Sequence, residues 1–312
     1  MINRTEKDII KNWKGSITTP LVSVCTITYN HEKFIEDTLD SFLMQETEFP
    51  FEIVIDDDCS LDGTAGVIEK YIEKYPNIIN ANLRQKNVGA MTNFIDNMGR
   101  ANGKYIALCE GDDYWTDSLK LQQQIDFLEH NNEYIITYTA VYAFNEEGII
   151  KDYKGGAKKD LEAIELQKAT SLNTLTVCFR NILKEFPPEF QCTKLGDKFL
   201  WSLLGEFGKG KFLENIKPAK YRVHKGGIFS QKNVKTQYEM AYLTSFSLYM
   251  YYLRINNKLM SDYFHKDSLY RSLLIYGDLY HFKILIKNIV SSNIFYTIYT
   301  FFKKRIVNFY DS

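Results

Sequence analysis

The chain has 312 residues, 45% of them apolar, enough for one large domain or for a domain with an appendage. Its 38 Lys and Arg stand against 39 Asp and Glu, a formal charge of -1, so no global field marks a nucleic-acid partner. The 5 cysteines are scattered and fall in no paired ligand spacing, which argues against a disulfide framework or a zinc site and for a reducing compartment.

The first segment, MINRTEKDIIKNWKG, has no apolar core of signal-peptide type, and no apolar run is long enough to span a bilayer. The expected location is therefore the cytoplasm. PLVSVCTITYN, a β-branched apolar run after a proline, predicts a buried strand. A helix follows, with Phe34, Ile35, Leu39, Phe42 and Leu43 at helical spacing. FEIVIDDD predicts a second strand, and Val67, Ile68, Tyr71, Ile72 and Tyr75 form one face of the next helix. ANLRQKNVG reads as a short third strand and loop, before a helix carrying Met91, Phe94, Ile95 and Met98. KYIALCEGDD is the fourth strand of the series and DSLKLQQQIDFLEH the helix behind it.

Four strand–helix alternations predict an α/β fold with a doubly wound, mostly parallel sheet flanked by helices. From about residue 134 the pattern weakens into extended segments and one helix around DKFLWSLLGEFG. Beyond about residue 231 nearly everything reads as helix. The expected domains are an α/β unit over 1–230 and a C-terminal helical extension over 231–312.

In such sheets ligands bind beyond the carboxyl ends of the strands. The acid clusters fall at those ends: Asp56 to Asp58 after the second strand, Glu110 to Asp113 after the fourth. Crowded carboxylates resist ionisation unless positive charge meets them. Asp62 and Thr64 suit the start of the next helix as capping residues. Capping does not require Asp56, Asp57 and Asp58 together, and a carboxylate there suits a base N–H or a ribose hydroxyl.

The ordered set LVSVCTITYNHEKFIEDTLDSFLMQ, FEIVIDDDCSLDGT and NVGAMTNF…ANGKYIALCEGDDYW closely resembles the inverting family-two glycosyltransferases, which have the GT-A fold. The resemblance runs over residues 20–130 and resumes near 196–227. It implies that Thr28, Tyr29 and Asn30 surround a nucleotide base and that Asp58 binds the uracil or ribose, with Cys59 standing where a smaller residue or asparagine is usual. Gly89 and Asn93 match the segment beside the nucleotide. Arg84 and Lys86 are either contacts to it or solvated loop charges.

Glu110-Gly111-Asp112 matches the family's DXD motif, with glutamate in the first position. The resemblance makes Asp112 a ligand of Mn²⁺ or Mg²⁺, bridging the phosphates of a nucleotide-sugar. Glu110 would face the ribose or the cation's water, and Asp113 either reaches the sugar or caps the turn. His224 in YRVHKGG matches a histidine that approaches the metal or diphosphate; the alternative is a packed or surface histidine. Arg222 and Lys225 are placed to add charge at the same end. Asp197 matches the general base of the family, although a helix-start Asp is equally a cap. The remaining histidines, His31 among them, show no partner pattern. Trp115 and Trp201 are open between core and sugar-stacking wall.

The implied reaction is inverting transfer of a sugar from a UDP-linked donor to a glycan or lipid-linked acceptor, in surface-polysaccharide synthesis. The tail SSNIFYTIYTFFKKRIVNFY reads either as an interfacial helix in peripheral contact with anionic lipid on the inner membrane surface or as a helix packed on the main domain. Two other readings remain. A sugar nucleotidyltransferase would place glycines after the first strand, where this chain has TYNHEKF. A non-catalytic nucleotide-sugar scaffold would not need Asp197.

Overall fold

The computed structural model describes residues 2–153, 155–227, 229 and 232–276; the tail stretch 291–310 lies outside them. In chain order the elements are α1 (Glu6–Ile10), β1 (Val22–Thr28), α2 (Ile35–Leu43), β2 (Phe51–Asp57), α3 (Thr64–Lys74), β3 (Ile79–Leu83) and α4 (Ala90–Gly99). They continue with β4 (Tyr105–Leu108), α5 (Lys120–His130), β5 (Tyr134–Tyr138), β6 (Val141–Asn145), β7 (Gly148–Ile149), α6 (Ala163–Gln167) and β8 (Cys178–Arg180). The last are α7 (Gly196–Leu204), β9 (Lys209–Phe212), β10 (Ala219–Arg222), α8 (Val234–Arg254) and α9 (Lys258–Tyr276).

A seven-stranded sheet runs in the order β3-β2-β1-β4-β8-β5-β9. Strands β1 to β4 pair in parallel, and β8 is antiparallel to both of its neighbours. A small sheet, β10-β6-β7, stands beside it. Every residue of β2 is buried, as expected for a strand covered by helices on both faces, and its centre, Ile53 to Ile55, shows no alternation of apolar with polar residues. The α/β expectation holds, with a mixed sheet as the finer result.

Packing divides the described residues into two compact units, one within 1–186 and 200–227, the other within 187–199 and 229–276. In the second unit, Tyr252 stacks on Phe264 across α8 and α9, Ser245 and Arg271 both hydrogen-bond Asp267, and Arg254 pairs with Glu189. Among the described residues no helix is long and apolar enough to cross a membrane.

Trp115 and Trp201 are both core residues, 1% and 0% exposed. Trp115 packs on Phe42, and its indole N–H donates to the Leu175 carbonyl. Beneath it lies an unforeseen group, Lys120, which is 1% exposed. Its ammonium donates to Gln124 Oε1 at 2.6 Å and sits 4.2 Å from the Trp115 ring centre. With an amide and an aromatic face as partners, burial pulls it from the ordinary 10.5 down to about 8. The unfolded chain keeps the proton to a higher pH than the folded chain does. The charge therefore destabilises the fold fully below pH 8, and this penalty fades as pH rises from about 8 to 10.5. Lys120→Met is expected to raise stability at pH 7 by about 2 kcal/mol, after the lost Gln124 bond is set against the removed burial cost. That corresponds to roughly 4–8 °C in Tm. Melting curves at pH 7 and pH 9.5 check both the gain and its shrinkage; a variant less stable at pH 7 would contradict the assignment.

Candidate functional site

The order of the parallel strands reverses at β1. The chain moves outward through β2 and β3, then returns to place β4 on the other side of β1. The connections after β1 and β4 therefore leave in opposite directions and open a crevice at the strands' carboxyl ends. The Glu110–Asp113 turn emerges there. Gly111 donates its N–H to Ile27 O at 3.1 Å, and a Cβ at this position would lie 2.7 Å from Thr28 Cβ and Oγ1. Only glycine lets this turn lie against the end of β1, and that contact sets the position of Asp112.

Two histidines meet Asp112. His224 Nε2 is 2.9 Å from Asp112 Oδ2, and His31 Nε2 is 3.8 Å from the same oxygen. The three ligand atoms lie within 4.8 Å of one another. Burial acts to raise the Asp112 carboxyl, but the His224 hydrogen bond and the two imidazoles hold it below the usual range. Burial lowers His31, with Asp112 opposing.

His224 is delivered by β10. Tyr114 and Lys220 exchange backbone hydrogen bonds, which ties β10 to the turn. Two residues on, the Arg222 N–H donates to Asp113 Oδ1 at 2.6 Å and its Nε to the Asp112 carbonyl at 2.8 Å. The guanidinium also pairs with Asp37 and lies over the rings of Phe34 and Phe144. Arg222 thus clamps the turn. Asp113 is 2% exposed, and burial, then the charges of Asp112 and Glu110, push its carboxyl well above the ordinary value. Glu110 is half-buried on the same turn.

The acids after β2 have other partners. Asp56 is fully buried: Oδ1 accepts from Arg100 and Asn97, Oδ2 from Asn82 and Arg84. Asp57 accepts from the amide and hydroxyl of Ser60. Asp58 accepts from the amides of Val88 and Gly89 at 2.8 and 2.9 Å, fixing the loop into α4 where Gly89 takes φ +85°. Arg84 also pairs with Asp96 and donates through Nε to Asn93 Oδ1; Asn93, 1% exposed, donates to the Asp56 carbonyl. So Asp58, Arg84 and Asn93 frame the loop and the strand ends. Cys59 adopts φ +61°, a left-handed conformation that explains why small residues or asparagine suit the position.

Of the β1 end, Thr28 is buried, Tyr29 is 41% exposed, and Asn30, at φ +57°, bridges to Ser60 and Leu61. Asp197 lies in the first turn of α7, in the second unit, and burial raises its carboxyl above the usual range. Sequence reasoning missed His31, Arg100, Asn82 and Asn97. For His31 the available signal was a metal-ligating side chain just past the end of β1, at the switch point.

A parallel sheet reversing at β1/β4, with an acidic turn behind β4, is the GT-A architecture. The model of the family "Glycosyl transferase family 2" matches residues 23–186, and the chain belongs to that family. A putative teichuronic acid biosynthesis glycosyltransferase, TuaG of Bacillus subtilis, is 31% identical over 224 residues, covering 71% of this chain and 84% of that one. An uncharacterized protein of Mycobacterium tuberculosis is 40% identical over 162 residues, 51% of this chain. The chain spans only 46% of that relative's length. Among solved structures, S. aureus TarS in complex with UDP-GlcNAc superposes with TM-score 0.57 at 22% identity, covering 81% of this chain and 72% of that one. A mannosyltransferase of Pyrobaculum calidifontis in complex with GDP-Man and Mn²⁺ gives 0.55 at 15% identity, covering 92% and 86%. At these identities the two structures are alike in fold.

Proposed function

We propose that the chain transfers a sugar from a UDP-linked donor to a hydroxyl of a glycan or lipid-linked acceptor, with inversion, in the synthesis of a surface polysaccharide. The observation that carries this reading is the Asp112–His224 pair at the β1/β4 switch point. A carboxylate beside imidazoles at a strand-end crevice suits a divalent cation, and Asp112 and His224 would hold it. When bound, the ion supplies Lewis-acid charge to the departing diphosphate.

The chain's own residues do the rest. Gly111 and the Arg222 clamp hold Asp112 in place. Exposed Tyr29, with Asn30, borders the base, and Asp58 orders the 88–89 loop beside it. Glu110 serves the ribose or the cation's water. Asp197 takes the proton of the attacking hydroxyl at its carboxylate, and its raised proton affinity suits that task. The UDP-GlcNAc complex of TarS and the GDP-Man and Mn²⁺ complex of the Pyrobaculum calidifontis mannosyltransferase support a nucleotide-sugar and a cation; the name of TuaG supports a cell-surface polymer.

A panel of nucleotide-sugars with Mn²⁺ or Mg²⁺, read as released nucleoside diphosphate, tests the proposal. One donor is expected to turn over. Asp197→Asn is expected to lose about 10²–10⁴ in rate while still binding that donor with cation. Full activity in Asp197→Asn would remove it as base, and a donor that binds without turnover in any condition would favour the scaffold reading.

A further inference from the structure

We infer that His31 is a third protein ligand of the cation and that it sets the cation preference, favouring Mn²⁺ and the later transition ions over Mg²⁺. The inference rests on the reading above that Asp112 holds a cation. It goes beyond that reading by adding a ligand from the loop after β1 and a choice between ions.

The position of His31 is built rather than incidental. Its backbone N–H donates to Thr64 Oγ1 at 2.9 Å, and the preceding Asn30 is fixed in a left-handed conformation by bonds to Ser60 and Leu61. The imidazole is largely enclosed, with 15% of its side chain exposed. Nδ1 lies 3.1 Å from the hydroxyl of Thr28, which is 3% exposed. In the tautomer that donates from Nδ1 to this hydroxyl, Nε2, 3.8 Å from Asp112 Oδ2, is free to take a cation. One ring nitrogen anchored and the other presented is the arrangement found in metal-ligating histidines.

The spacing agrees. At 3.8 Å, His31 Nε2 and Asp112 Oδ2 are too far apart for a hydrogen bond. Two donors to one ion at about 2.1 Å each sit no more than about 4.2 Å apart. The three donor atoms lie within 4.8 Å of one another, so small side-chain movements close the set around one ion.

Two imidazoles with one carboxylate are a nitrogen-rich set. Mg²⁺ prefers oxygen donors and gives up water reluctantly. Imidazole favours the transition ions, with affinity rising from Mn²⁺ to Co²⁺. Asp112 alone would discriminate little, and each added imidazole moves the preference away from Mg²⁺.

The test is a Mn²⁺ titration of the full chain in the presence of UDP, with free Mn²⁺ read by electron paramagnetic resonance and Mg²⁺ and Co²⁺ as competitors. Wild-type protein is expected to prefer Mn²⁺ over Mg²⁺ by at least about tenfold, and Co²⁺ to compete better still. His31→Asn is expected to weaken Mn²⁺ by about 10–100-fold while changing Mg²⁺ by less than about threefold. A merely structural role would weaken both ions alike. His31→Glu, which returns an oxygen donor, is expected to shift the preference towards Mg²⁺ and keeps the test open if the first variant folds poorly. If wild-type protein binds no cation, the reading of Asp112 fails together with this one. If wild-type protein binds Mn²⁺ but His31→Asn keeps the wild-type ion ratio, His31 alone is wrongly assigned.

Discussion

Asp112→Asn is expected to lower kcat/KM for donor turnover by about 10³-fold, because a bound cation contributes several kcal/mol to the departing diphosphate and each 1.36 kcal/mol is tenfold. The substitution preserves shape. An asparagine oxygen still accepts from His224 Nε2, and the backbone carbonyl still accepts from Arg222, so the turn keeps its two clamps. What disappears is the negative charge that two imidazoles and burial surround. Stability should therefore move little, and activity should fall steeply. Side-by-side melting and initial-rate measurements separate the two effects. Equal losses in Tm and rate would mean that Asp112 serves the fold.

Asp56→Ala should do the opposite. This acid is the hub of the β2 end: Arg100, Arg84, Asn97 and Asn82 all donate to its carboxylate, and they come from β3, the loop after it, α4 and the residue that caps α4. Removing one partner of a buried ion pair leaves the others uncompensated, at a cost of about 3–5 kcal/mol. Arg84, at 15% side-chain exposure, has Asp96 as a second partner, and Arg100 has the Asn80 carbonyl, so the lower half of that range is expected. A denaturant titration reads it as a large drop in midpoint with little change in slope. A loss below about 1 kcal/mol would mean that the guanidiniums re-pair at the surface.

The two acid clusters thus differ in kind, although they look alike in sequence. After β2, positive charge is supplied from within by Arg84 and Arg100, and the turn amides take Asp57 and Asp58. After β4, Asp113 is absorbed by Arg222, while Asp112 meets imidazoles. The alternation of strands and helices was legible because buried parallel strands read as apolar runs and each helix presents one apolar face. Partner choice was not legible, since Asp56 and Arg100 are brought together by the packing of α4 against β2. His31 offered only its place just past β1, because the register that lays Gly111 against Thr28 is what brings it to Asp112. Lys120 misleads in another way. A lysine on a helix is most often exposed, yet Lys120 shares the buried face of α5 with Leu121, Gln124 and Ile125. The role of Asp197 could be read only from the resemblance, because any helix-start acid looks the same locally.

The central claim is that Asp112 binds a cation which in turn binds a diphosphate. Calorimetric titration of UDP into the protein, with Mn²⁺ and with chelator, tests it most directly. The account predicts that Mn²⁺ tightens UDP binding by at least about tenfold in wild-type protein and has no effect in Asp112→Asn. Equal UDP affinity with and without Mn²⁺ in the wild-type protein would contradict it.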